Sequence, residues 1–333
     1  MILWKDFLHK INQDTLGHWV VRIFLGLVIF SVTLPLFVNE KPLLVYKDRF
    51  YVPLFFTYTE KDFGGTLELD MSFEEDVLKD AVTFYPLVPY GPDTVDYSLK
   101  KAGPQKPSLR HLLGTDEQGR DMLARLLYAL RFSLLFGLMV ALVSGFIGIY
   151  IGLFQGYYGG GVDLLLQRIF ELWSNIPGLF FLMVLSAFFG LNQWLLIGAV
   201  IFIKSPTLIP MVRMLSLRAR SLPYVEAACV MGQSSWVVCL RHILPNIIVF
   251  PLAKLPFMIA HAVSIITTLS FFGFSVPRSC LTFGEILIQG KNHLYAPWIV
   301  LGGIGFLVGL MMILLFLGEA LQKIFVQNMP DSL

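Results

Sequence analysis

Six stretches of this chain are apolar over about 20 residues each, the length that crosses a bilayer as a helix. They cover residues 19–38, 132–154, 169–189, 194–212, 247–272 and 298–317, and the second holds no charged residue. Hydrocarbon offers the backbone no hydrogen-bond partner, so runs of this length are expected to satisfy themselves as helices. Composition points the same way. The chain is 56% hydrophobic and 14% charged, where soluble domains carry about 25% charged residues. The expected fold is an all-α polytopic membrane protein with six transmembrane helices. No small-residue cleavage site comes after residues 19–38, which read as a retained anchor rather than a signal peptide.

The remaining charge is gathered in one interval. Of the 23 acidic residues, 15 lie between Glu40 and Asp121, and 12 of the 25 basic residues lie between Lys41 and Arg131. Near the span ends, Lys5, Lys10, Arg168, Arg213, Arg218, Arg220, Arg241 and Lys323 fall on one side, against only Arg278 and Lys291 in the short connections of the other. The richer side is expected to be cytoplasmic. The expected organisation is then a cytoplasmic N-terminus (1–18), a first transmembrane helix (19–38) and an extracytoplasmic insertion (39–110). A core with five transmembrane helices (111–322) and a cytoplasmic tail (323–333) complete it, with both termini inside.

Within the insertion, residues 43–56 read as a hairpin around Lys47-Asp48-Arg49, and 72–80 as an acidic helix. Pro86, Pro89, Pro92, Pro104 and Pro107 punctuate the rest of it. A helix is expected to start at Thr115, which stands in capping-box spacing with Gln118. Met122, Leu123, Leu126, Leu127 and Leu130 would share one face, giving an amphipathic helix at the outer surface that feeds the second span. Asp116, Glu117 and Asp121 read as capping and surface ion-pair residues rather than acid/base catalysts. In the last span, Gly302, Gly303, Gly305 and Gly309 are expected to admit a neighbouring helix.

Net charge of +2 and the lack of a basic run give no nucleic-acid signal. Cys229, Cys239 and Cys280 form no metal-ligand spacing, and the topology separates the first two from the third. The most informative segment is the inner connection between spans four and five. Ser221 is placed to cap a short helix, Pro223 suits its first turn, Glu226 favours the same end, and Ala227 and Ala228 keep a face small. Gly232 permits the turn that ends it. Such a helix is either a plain interfacial loop helix or the shape that passes motion between subunits.

Its wider pattern separates the two. Glu226-Ala227-Ala228, Gly232 and then Arg241-His242-Ile-Leu-Pro245-Asn246 resemble the coupling loop of bacterial ABC importer permeases, in particular the dipeptide/oligopeptide branch. Leu113-Gly-Thr-Asp-Glu-Gln-Gly-Arg-Asp-Met-Leu123, Gly156-Tyr-Tyr-Gly-Gly160 with Asp163, Leu269-Ser-Phe-Phe-Gly273 and Phe283-Gly284 are similar to the same branch. Residues 112–323 carry the resemblance. Asn39-Glu-Lys-Pro-Leu-Leu-Val45, Phe63-Gly-Gly65 and Gly318-Glu-Ala320 resemble the microcin C-type peptide permeases within it. Cys229 and Val230 depart from the usual basic or small residue and Ala, and Val326-Gln-Asn328 replaces the usual Asp-Pro-Arg.

The resemblance implies a type I ABC importer permease with a cytoplasmic coupling helix, in a bacterial inner membrane, carrying peptides or peptide-like compounds. Tyr224, Glu226, Ala227, Ala228, Gly232, His242 and Pro245 would meet the ATPase within a coupling loop spanning 215–245. Its implied partners are a homologous second permease, P-loop ATPase subunits and an extracytoplasmic substrate-binding protein. This chain has no G-x-x-x-x-G-K-[ST], so ATP and Mg would be bound by the partner ATPase.

Lys204, Lys254, His261 and Glu171 are ionisable residues within or near the apolar runs. Lys204 and His261 are candidates for the translocation path; packing and local ion pairing are the plainer readings of all four. An ion-coupled secondary transporter is the rival function, and it needs paired ionisable groups at mid-membrane. A membrane-embedded enzyme finds no Ser/His/Asp, Cys/His or metal spacing here.

Overall fold

The computed structural model describes residues 15–46, 50–51, 82–99, 103–190, 192–274 and 280–326. Among these, five helices are long and apolar enough to cross a membrane, and a bent pair makes a sixth candidate. The chain divides into two compact units, 28–132 with 281–307, and 1–27 with 133–280 and 308–333.

In the first of these, helix α1 (Thr15–Thr33) ends in a turn over Leu34–Leu36, with Pro35 at its start. A three-stranded antiparallel sheet comes next, of β1 (Leu44–Tyr46), β2 (Phe50–Tyr51) and β3 (Val82–Phe84), with β1 central. Val45 pairs in register with Tyr51 and Thr83 and is buried. The hairpin expected at 43–56 exists as far as it is described; β3 was not anticipated. The helix expected at 72–80 and Phe63-Gly-Gly65 lie outside the described residues. Leu34, Val38 and Ala124 form a small core beneath Phe30, Val88 and Tyr90.

The helix expected from Thr115 starts later. Helix α2 runs Met122–Tyr158, one continuous 37-residue element rather than a surface helix feeding a separate span. Thr115 instead bridges Asp121. Asp116 Oδ1 accepts from the amides of Gln118 and Arg120 at 2.9 Å each, and Gly119 has φ +80°. Those bonds close a turn where a capping box would have opened a helix. Asp121 is the residue that caps α2, accepting from the Ala124 amide at 2.8 Å. Asp116 and Asp121 are buried, not surface ion-pair residues.

Arg125, one turn into α2, is fully buried. It donates to Glu285 at 2.7 Å and to the Pro92 carbonyl at 3.1 Å, joining α2 to helix α9 (Phe283–Asn292). His111 lies between two carboxylates, Nδ1 at 2.8 Å from Asp121 and Nε2 at 3.2 Å from Asp96. Gly302 and Gly303 of helix α10 (Pro297–Val326) meet Leu126 and Leu287 as packing glycines. Gly305 and Gly309 meet nothing within 4 Å among the described residues, so the close approach expected of all four holds for two.

The other unit is built on the rest of α2. Gly148, Gly152 and Gly156 recur every fourth residue and so form one line along the helix. Against them lies α6 (Ile209–Arg220) with the turn before it: a Cβ at Gly152 would stand 2.8 Å from the Ile209 carbonyl oxygen. Ser216 Oγ adds a bond to the Leu153 carbonyl at 2.8 Å. The span expected at 169–189 is broken, α3 (Gly160–Ser174) meeting α4 (Gly178–Phe189) at 69°. Pro177 at the break has no N–H to continue the ladder. The next span, Gln193–Arg220, stays one span but contains a turn. Helix α5 (Gln193–Lys204) passes through a turn at Ser205–Thr207 into α6, and Ser205 Oγ occupies the Phe202 carbonyl that Pro206 leaves unbonded.

Candidate functional site: a clamped loop helix and a cationic cavity

Helix α7 (Pro223–Val230) comes after α6 with two residues between them. Pro223 stands at its first position, where the missing N–H costs nothing. Leu222, extended at φ −84° and ψ 142°, takes the N-cap position; Ser221 does not cap, because its hydroxyl turns back to the Arg218 carbonyl at 2.9 Å. Glu226 lies in the first turn, where its charge complements the positive helix end. Val225 and Ala228 are buried one turn apart and set the inner face.

The opposite surface is exposed: Tyr224, Glu226, Ala227, Cys229, Val230 and Met231. Val230 is 89% exposed and Met231 71%. Gly232, at φ +77° with nothing within 4 Å, makes the turn that stops the helix there.

Two side-chain bonds hold α7 by its ends. At the start, Asn246 Nδ2 donates to the Tyr224 hydroxyl at 3.2 Å. At the exit, His242 Nε2 and Gln233 Oε1 lie 2.7 Å apart. His242 belongs to a π-helical segment, Val238–Ile243, and the exposed Pro245 to the turn Leu244–Ile247. The seven residues singled out from sequence, Tyr224, Glu226, Ala227, Ala228, Gly232, His242 and Pro245, lie along this one loop. Ala228 faces inward.

Sequence reasoning missed Gln233 and the stack of Trp236 on Phe154, with rings 4.8 Å apart and 16° from parallel. It also missed that Arg213 of α6 pairs with Asp163 of α3, Nη2 to Oδ2 at 2.6 Å.

Lys204 and His261 come together although 57 residues apart, Nζ to Nε2 at 3.3 Å. His261 lies in helix α8 (Leu255–Phe271). Both line a cavity of about 420 Å³ with Trp173 and Phe202, whose ring centres are 3.7 Å apart. Glu171 pairs locally with Arg168 at 2.9 Å, and Lys254 lies 5.8 Å from the Phe257 ring.

Residues 148–330 match the profile of the binding-protein-dependent transport system inner membrane component, and the chain belongs to that family. It is similar to the inner membrane ABC transporter permease protein YejE of Escherichia coli K12, 38% identical over 98% of this chain and 96% of the relative. A peptidoglycan transport system permease protein YejE of Agrobacterium fabrum is 34% identical over 97% and 91%. The oligopeptide transport system permease protein OppC of Escherichia coli K12 is 32% identical over 69% and 76%. The chain is therefore a multi-pass inner-membrane permease subunit of an ABC transporter, and nothing favours ion-coupled secondary transport.

Proposed function

We propose that this subunit forms half of the translocation pathway of an ATP-driven importer for peptides or peptide-like compounds, with α7 receiving force from a separate P-loop ATPase. The observation that carries this reading is α7 itself, fixed at both ends while Val230 and Met231 are offered outward. Relatives named for oligopeptide and peptidoglycan transport support the cargo class. The excess of Lys and Arg around α6 and α7 supports a cytoplasmic position for this loop and both termini inside. Residues 39–110 are then extracytoplasmic.

In this reading a second, homologous permease completes the path and an extracytoplasmic binding protein delivers cargo. ATP binding closes the ATPase pair, draws the two coupling loops together and opens the path outward; hydrolysis resets it. Movement of α7 passes directly to α6 and, through the glycine line, to α2, because backbones packed without intervening side chains have no slack to absorb it. Lys204 and His261 line the path.

Gentle purification of the tagged chain from its native membrane, with mass spectrometry of the proteins that accompany it, tests the assembly. A P-loop ATPase and a second permease are expected. Recovery of the chain alone, with uptake persisting in vesicles without ATP, would contradict it.

A further inference from the structure

One broken span and a turn within the next open onto one cavity. Ile176, Pro177 and Gly178 reach it from the break between α3 and α4, and Lys204, Pro206 and Thr207 from the turn between α5 and α6. Irregular backbone at membrane depth persists only where protein covers it or where it lines a watered cavity. At about 420 Å³ the space lies within the range of small-ligand sites, about 300–1,000 Å³. Lys204 and His261 also line a second cavity, of about 260 Å³, together with Lys254.

Neither cavity is lined by an aspartate or glutamate among the described residues, while both are lined by lysine and histidine. A lysine kept at such a place without a carboxylate partner is costly unless something anionic visits it. Lys204 stands in the last turn of α5, where the helix carbonyls favour a cation and hold it in place between visits. The Trp173 and Phe202 rings give the same space an apolar wall.

We propose that Lys204 and His261 form a carboxylate-binding station in the pathway, which makes this permease selective for peptides bearing a free C-terminal carboxylate. The ammonium replaces the water lost by the carboxylate, His261 Nε2 accepts one of the ammonium's hydrogen bonds and so orients it, and the aromatic wall receives the adjoining side chain. The proposal rests on the import reading above.

The test compares alanine tri- to pentapeptides having a free C-terminal carboxylate with their C-terminal amides. Uptake by the complete transporter is measured in its native membrane. In Lys204→Met the ratio of acid to amide uptake is expected to fall about tenfold, the scale of one charge-assisted hydrogen bond. Lys204→Arg retains the ratio. A binding protein upstream contributes equally to every variant, so a changed ratio belongs to this chain. An unchanged ratio in Lys204→Met, with ATP-dependent uptake intact in the unsubstituted transporter, overturns the station and spares the import reading. Absence of ATP-dependent uptake of every peptide by the unsubstituted transporter overturns both.

Discussion

One side-chain amide, that of Asn246, bonds both the Tyr224 hydroxyl at 3.2 Å and the His242 carbonyl at 2.8 Å. The first turn of α7 is thereby tied to the segment that leads into the next span, 22 residues along the chain. If α7 is the lever of the import reading proposed above, it must be stiff where it is loaded, and this tie then bears on force transfer more than on folding. Asn246→Leu removes both bonds, each contributing about 0.5–1.5 kcal/mol. ATP-driven uptake should fall several-fold with the amount of chain in the membrane unchanged, and Tyr224→Phe should do less. Uptake assays read against immunoblots check this; normal uptake by Asn246→Leu would show the tie to be idle.

The contact of α2 with α6 makes a stability prediction. Gly152→Leu would drive a side chain into the Ile209 carbonyl and Val212. Overpacking of this kind costs about 1–3 kcal/mol. The unfolding midpoint of the detergent-purified chain should drop by several degrees. Gly198, with open space around it, should accept alanine with no such loss. Equal midpoints for the two variants would contradict the close packing.

Asp96 gives the pH dependence a sign. Burial works to raise its carboxyl, but the Ser98 hydroxyl and amide, His111 and Arg110 outweigh it and hold the group below the ordinary carboxylate value. A carboxylate depressed on folding contributes its stability in full above its unfolded pKa, about 3.9, and loses it as pH falls through the folded value. Thermal unfolding between pH 6 and pH 3 should therefore show an acid loss below about pH 4 that Asp96→Asn makes shallower. Superimposable acid limbs would contradict this.

The spans were legible because length and apolarity alone define them, and the loop helix because Pro223, Glu226 and Gly232 each act within one turn of where they stand. The onset of α2 was not. Thr115 and Gln118 have the right spacing, but the Asp116 side chain bonds the same amides a helix would have used, and Gly119 lets the chain turn back. Nothing near Arg125 in sequence signals its buried bond to Glu285, 160 residues later. Lys204 and His261 were each visible as ionisable residues in apolar runs, yet only the fold places them 3.3 Å apart. Local chemistry is written in local sequence; pairings across tens of residues require the packing.

Cysteine reactivity reports the orientation of the loop. Cys229 is exposed on α7, Cys239 and Cys280 are buried, and burial with the neighbouring Cys229 pushes the Cys239 thiol up to about 12. At neutral pH Cys239 is thus un-ionised and shielded. A membrane-impermeant maleimide should label Cys229 in inside-out vesicles and not in right-side-out ones. The reverse pattern would place α7 outside the cell.

The central claim, that α7 is where the ATPase pushes, is tested most directly at Val230. A photo-crosslinking amino acid placed there, irradiated in native membranes, should join this chain to a P-loop ATPase, more efficiently than the same probe at the lipid-type position Phe188. Crosslinks from Val230 to lipid alone, in membranes that still perform ATP-driven uptake, would contradict that claim.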